Sequence, residues 1–342
     1  MIQEPFASTW LKTDEDRTPY VVLDANPHYW NKTRGPRLDR VVFRNELTPD
    51  LALHLCTTTE GQVDIVTQVP PKHAKMVSSS AYAKLVNVNS NRILAGTFNR
   101  FKRDVSFDDK NIRLALNLAI QREKIIQEGF YGFASHVPAM TPPWAFDYPE
   151  ELSSRQYDAY RARELFQASH WPEGRRMKIT STVEFAQAAY LIAADIENTL
   201  PIGVDVSIIP RHEEIKWKRI VAEKKLVPAW DIMLASTTAL FLEGTPAFFH
   251  RKFFGSDGEL RVGPELPAFN QLFKKMVAQT DQTNLLEVAK EIDRYVYEEA
   301  LALFLCSPQD LYAVNRNVIF RPYRTTFELA DTEVNEFHWS RR

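Results

Sequence analysis

Apolar positions along the later half of the chain alternate between two periods. Met177-Lys178-Ile179-Thr180-Ser181-Thr182 places apolar residues at every second position at its start, which predicts a strand. Residues 186–200 carry a helical period. Val204 to Ile209 reads as a second strand, residues 212–223 as a helix, and Trp230 to Ser236 as a third strand. Strands that alternate with helices favour parallel pairing through right-handed crossovers. Ligands on such sheets sit beyond the carboxyl ends of the strands. Those ends are Thr182, Pro210-Arg211 and Ser236-Thr237-Thr238.

Upstream, a short apolar run from Leu94 closes on Thr97-Phe98-Asn99 and is followed by a charged turn. Ser106 and Asp109 have capping-box spacing, which predicts a helix start there. Ile112, Ala115, Leu116, Ala119 and Ile120 give that helix one apolar face, and Gly129 is its expected stop. Tyr20 to Leu23 reads as a strand, and Asp50 to Leu55 and Tyr157 to Phe166 as helices. Asp281 is the expected cap of a helix whose Leu285, Val288, Ala289, Ile292 and Val296 share a face. Phe248 to Phe254 is aromatic-rich, either core filling or an apolar cleft wall.

Composition narrows the class. At 342 residues the chain can bury a sizeable core, and two lobes are expected rather than one. The formal net charge of -2 gives no nucleic-acid footprint, and Lys216-Trp217-Lys218-Arg219 reads as a solvated helix face. Cys56 and Cys306 have no partner spacing and read as free buried thiols rather than a disulfide. No apolar run reaches membrane-spanning length, and Met1 to Phe6 shows no leader pattern. The histidines are scattered, with no metal-ligand spacing and no cofactor fingerprint, so neither metal nor cofactor is expected. Asp108-Asp109 and Glu213-Glu214 fit helix starts better than acid–base catalysis. No enzyme motif is readable.

Several segments carry a resemblance. The stretch GTFNR…VSFDDKNIRLALNLAIQREKIIQEGFYGFA resembles the central signature of family 5 extracellular solute-binding proteins, the ligand-capturing subunits of peptide and nickel ABC importers. Arg113, Ala115, Ala119, Ile120, Arg122, Ile125, Gly132 and Ala134 stand where that pattern wants them. Asn26-Pro27-His28-Tyr29-Trp30, Gly61-Gln62-Val63-Asp64-Ile65, Asp231-Ile232-Met233-Leu234 and Leu311-Tyr312-Ala313-Val314 follow in the family order. Gln121 replaces the usual Asp, His170 a Gly and Asn270 an Asp. Where many peptide binders have Trp and Asp, residues 235–243 offer no acid but Glu243.

The resemblance implies an α/β fold, periplasmic-binding-protein-like of type II, with two lobes joined by two hinge crossings. It implies a partial lobe I over 1–98, completed by 309–342, and a βα-rich ligand-binding lobe over 99–308. Lobe I is expected to be incomplete, lacking the signal and the middle domain that precede the Gln3 segment in the family. The crossings, Thr97 to Asn99 and Ser307 to Leu311, are expected side by side. The implied function is the substrate-binding component of an ABC importer, with a peptide or similar amphipathic solute as ligand and permease subunits as partners. A shortened form with impaired binding would fit the same pattern. Phe98, Asn99, Ser236, Thr237, Thr238 and Phe241 are the expected lining, with Asn99 at the hinge floor. The family works outside the cytoplasm; the chain as written would stay inside. An intracellular ligand-sensing domain of a regulator and a hydrolase with no readable motif are the alternatives.

Overall fold

The computed structural model describes all residues but 1–5, 12–19, 103, 215, 217–228, 239–246, 259–261 and 324–327; for 6–11, 237–238 and 247–249 it describes the backbone alone. The chain forms two compact units, one of residues 1–90 with 309–342 and one of 91–308.

In the first unit, β1 (Phe6–Leu11), β2 (Tyr20–Ala25) and β3 (Arg40–Arg44) form an antiparallel sheet. Helix α1 (Pro49–Thr58) starts where Thr48 accepts a hydrogen bond from the Leu51 N–H, with Pro at its first turn. Beyond β4 (Ile65–Val66) and the short helix α2 (Ala74–Ser78), β5 (Ala83–Asn89) pairs with the far half of the long strand β11 (Ala302–Asn315). That half of β11 has β4 as its other neighbour. A two-residue ladder, β12 (Val318–Ile319) with β13 (Glu333–Val334), closes the unit. Tyr312, Val314, Val318, Phe320 and Leu329 make its core. Cys56 and Cys306 are both buried, free thiols, and burial pushes the Cys56 thiol up to about 12.

The second unit is three layers. Its sheet places the near half of β11 beside β6 (Arg92–Phe98), then β10 (Ile232–Thr238), β8 (Met177–Thr182) and β9 (Val204–Ile209). Strand β7 (Ala134–His136) pairs with β11 at Cys306 to Pro308. β8 runs parallel to both β9 and β10, as the βαβ alternation requires, while β6 is antiparallel to β10. Ile93 and Ala95 point into one helical layer, Leu94 and Phe98 into the other, by the two-residue period of a strand.

The layer against Leu94 holds α3 (Lys110–Leu118), α5 (Ala159–Gln167) and α6 (Ala186–Thr199), with a short α4 (Arg122–Lys124) leading into a π-helical turn that ends at Gly129. The layer against Ile93 holds α7 (Ala247–Phe254), α8 (Pro267–Val277) and α9 (Gln282–Glu298). Asp281 caps α9 by accepting from the Asn284 N–H, and Val288, Ala289, Ile292 and Val296 are its buried stripe. Each fully buried Leu or Ile in these layers contributes about 1.5–3 kcal/mol. Gly96 sits where a Cβ would stand 3.1 Å from side-chain carbons of Ile232 and Leu303, so both neighbours of β6 press on it.

Two expectations are corrected. The helix expected to start at Ser106 starts at Lys110 with Asp109 as its cap. Ser106 is spent in a preceding turn, where its Oγ accepts from the Asp108 N–H and its carbonyl oxygen from the Asp109 N–H. The first boundary between units falls at Ser90/Asn91, not 98/99, because β6 lies wholly in the second unit's sheet. Of the two readings of the 248–254 run, core filling holds at Phe253 and Phe254, with Phe254 edge-on to Phe269 at 5.9 Å, while the side chains of 247–249 are not described.

Candidate functional site

The carboxyl ends of β8, β9 and β10 share one edge of the second unit's sheet, since the strands are parallel. Antiparallel β6 starts at that same edge, with Arg92 opposite Thr238. β11 leaves the unit there too: the Ser307 hydroxyl donates to the Arg92 carbonyl oxygen at 2.7 Å. Both links to the first unit, Ser90/Asn91 and Pro308/Gln309, therefore depart from the edge that ends in Thr182, Ile209 and Thr238.

Of the expected lining residues, Ser236, Thr237 and Thr238 reach this edge, paired with Leu94, Ile93 and Arg92. Ser236 is half-buried, and among the described residues its Oγ has no hydrogen-bond partner. A buried hydroxyl left unpaired costs about 1–3 kcal/mol. Phe241 and Glu243 lie outside the described residues.

Phe98 and Asn99 are not opposite these hydroxyls. Phe98 pairs with Ile232, at the other end of both strands, roughly 13 Å along β6 from Leu94 at about 3.3 Å per residue. Phe98 is fully buried, stacked on Phe107 with ring centroids 5.0 Å apart. Asn99 closes the turn there: its Nδ2 donates to the Trp230 carbonyl oxygen at 2.7 Å, its Oδ1 accepts from the Phe101 N–H, and its own N–H donates to the Asp231 carbonyl oxygen. It is thus far from the crossings rather than at a hinge floor, and Asp310 belongs to the other unit.

A salt-bridge network seals that far end. Asp231, fully buried, accepts two bonds from Arg175 at 2.6 and 3.0 Å and one from the Lys178 N–H at 2.7 Å. Burial works against the Arg175 charge, yet Asp231 and Asp104 together hold its pKa above the ordinary value.

The crossing edge holds polar and aromatic groups that sequence reasoning missed. Asn91, buried, accepts the Trp144 indole N–H through Oδ1 at 2.9 Å, leaving its Nδ2 without a partner. Phe146, two residues on, is 90 % exposed, yet the next residue, Asp147, is fully buried. The only signal for these was the proline-rich run Thr141-Pro142-Pro143-Trp144. Beneath the same loop His250 Nε2 lies 3.2 Å from Asp293 Oδ1, both fully buried, with Thr141 and Asp147 beside them. Burial lowers His250 to about 3 and raises Asp293 well above its ordinary value, so burial favours the neutral form of each. Among the described residues no group of three His, Cys, Asp or Glu side chains could hold a metal ion. No helix among them is long and apolar enough to cross a membrane.

A family model described as bacterial extracellular solute-binding proteins, family 5 Middle, matches residues 12–256. The chain belongs to family 5 of the bacterial extracellular solute-binding proteins. This is a family of transport binding proteins, not enzymes. The glutathione-binding protein GsiB of Pectobacterium atrosepticum is 27% identical over 194 residues, 56% of this chain and 36% of its own length. Heme-binding protein A of Haemophilus influenzae is 26% identical over 170 residues, 50% of this chain and 29% of its own length.

Among solved structures, the ABC transporter substrate-binding protein CtaP of Listeria monocytogenes superposes with a TM-score of 0.80 at 17% identity, over 96% of this chain and 66% of CtaP. DppA of Helicobacter pylori, in complex with the peptide STSA, gives 0.73 at 20% identity over 96% of this chain and 62% of DppA. At these identities the likeness shows the fold, the type II arrangement of family 5 periplasmic binding proteins. The chain spans about a third of the length of the curated relatives it matches.

Proposed function

We propose that this family 5 protein is the solute-capturing component of an ABC importer. It takes a peptide or similar amphipathic solute at the carboxyl edge of the second unit's sheet and delivers it to a permease. The observation that carries this is the coincidence at one edge of three things: the carboxyl ends of the parallel strands, both links to the first unit, and the unpaired Ser236 hydroxyl. Small hydroxyls suit a ligand whose polar groups must stay paired on burial. Relatives named for binding glutathione, and a related fold holding the peptide STSA, agree with that ligand class.

Ser236, Thr237, Thr238 and Phe241 remain the proposed lining, with Asn91 and Trp144 added from the same edge. No acid among residues 235–242 is placed to pair with an α-ammonium group. A buried charge with half its pair missing is costly, so free dipeptides bind weakly and longer or less polar peptides bind better. Calorimetry with a peptide panel on the wild type and on Thr237→Asp tests this. Selective gain of dipeptide affinity in Thr237→Asp supports it; tight dipeptide binding that ignores the substitution overturns it.

A further inference from the structure

A pocket of about 570 Å³ opens on the second unit where α4 meets the segment 154–157 and β7. Arg122 forms part of its wall and is almost wholly buried. Its guanidinium donates to the carbonyl oxygens of Phe304, Asn117 and Arg155 and to Asn117 Oδ1, at 2.7 to 3.1 Å. All four acceptors are uncharged, so the positive charge is solvated but not neutralised. Arg155, on the same wall, donates one bond to the Tyr297 carbonyl oxygen and lies 4.0 Å over the Tyr297 ring. Among the described residues its remaining N–H groups have no hydrogen-bond partner and no carboxylate forms an ion pair with either arginine; the Glu298 carboxylate acts on Arg155 only at longer range.

The groups around the pair do not cancel it. Lys124 is matched by the buried Asp195 at 3.5 Å. Glu123 is occupied by His136 at 2.8 Å and by Gln127 at 2.8 Å. Glu128 lies exposed on the lining. Ser154, 8% exposed, also lines the pocket, and its Oγ has no partner. Two adjacent guanidinium groups repel each other in a partly desolvated wall, and Glu298 offsets this at Arg155 without forming an ion pair. Arg122 is correspondingly depressed, by burial first and then by Arg155.

We propose that this pocket is a binding site for the oxyanion of a small molecule, a carboxylate or a phosphate, held by the open N–H groups of Arg155 and the Ser154 hydroxyl, with Arg122 supplying charge from behind. A planar fork of unpaired N–H groups matches two oxygens of one such group. The site is separate from the solute edge proposed above and does not depend on that reading.

The test follows the Arg155 Nε–Hε signal by NMR during titration with sodium acetate, inorganic phosphate and, at matched ionic strength, sodium chloride. The signal is assigned by its loss in Arg155→Met or, should that variant fold poorly, in Arg155→Lys. The expected result is a saturable shift at millimolar acetate or phosphate that chloride does not reproduce, weakened about tenfold in Ser154→Ala. Saturation by acetate alone assigns a carboxylate source, and saturation by phosphate a phosphate source. An unmoved signal, or one that chloride moves equally through general screening, overturns the proposal.

Discussion

Ser307 Oγ donates a hydrogen bond to the carbonyl oxygen of Arg92 at 2.7 Å, and this bond joins the strand that enters the second unit to the strand that leaves it. Ser307 is fully buried, so the bond is made out of contact with water. Arg92 also donates to Glu184, just past the end of β8, at 2.6 Å. The edge from which both links depart is therefore held by side chains as well as by the ladder.

Removing that bond has a defined cost. Ser307→Ala removes one donor from the Arg92 carbonyl oxygen, and about 1 kcal/mol of stability is expected to go. Urea unfolding with an unchanged slope and a lower midpoint would show it. A midpoint equal to that of the wild type would mean that the bond does not hold the edge.

The opposite end of the sheet is expected to be more sensitive. Asp231→Ala leaves Arg175 with Asp104 as its one carboxylate and frees the Lys178 N–H, for a loss of roughly 3–5 kcal/mol. Asp231→Asn keeps one acceptor oxygen and loses less. Thermal unfolding of the pair should rank them in that order; equal midpoints would contradict the network.

Phe98 separates a core role from a binding role. Phe98→Ala removes a fully buried ring stacked on Phe107, and about 3–5 kcal/mol of stability is expected to be lost. Phe98→Leu keeps most of the volume and should leave ligand affinity unchanged. A large loss of affinity in a well-folded Phe98→Leu protein would restore Phe98 to the lining.

The His250–Asp293 pair gives stability an unusual dependence on pH. Asp293 is raised by burial, so its neutral form is favoured in the folded protein; that contribution is complete below the ordinary carboxylate pKa of about 3.9 and is lost as pH rises toward the folded value. His250 is lowered to about 3, so its contribution is present above the ordinary imidazole value of about 6.5 and is lost as pH falls through the interval below it. Asp293→Asn keeps the shape and removes the acid. Its melting temperature relative to the wild type should therefore rise as pH increases above the ordinary carboxylate value of about 3.9. A constant difference across that range would show that Asp293 does not ionise against folding.

Periodicity carried the βα half of the second unit well. The bounds of β8 and β9 coincide with the apolar runs 177–182 and 204–209, and the strand ends pointed to Ser236, Thr237 and Thr238. Phe98 was misplaced because an aromatic residue at the end of an apolar run reads the same whether it faces a core or a cleft. What decides is Phe107, nine residues away across a turn. Asn99 was misplaced for a related reason: its role is a local turn bond to Trp230, a residue 131 positions distant in sequence. Asn91 and Trp144 meet across 53 residues, and no spacing rule links them. The arginine pair is equally invisible, since Arg122 matches a family position while its lack of an anion appears only once the acceptors are known.

The most direct measurement for the central claim is calorimetry of the protein with di- to pentapeptides, beside Ser236→Ala and Trp144→Ala. The account predicts that longer or less polar peptides bind and free dipeptides bind weakly or not at all. It also predicts that both substitutions weaken binding by about tenfold, or about 1.4 kcal/mol, while the unfolding midpoint moves little. Peptide affinity unchanged in both variants would contradict the placement of the site at the edge of β10, and the absence of binding to any peptide would contradict the ligand class itself.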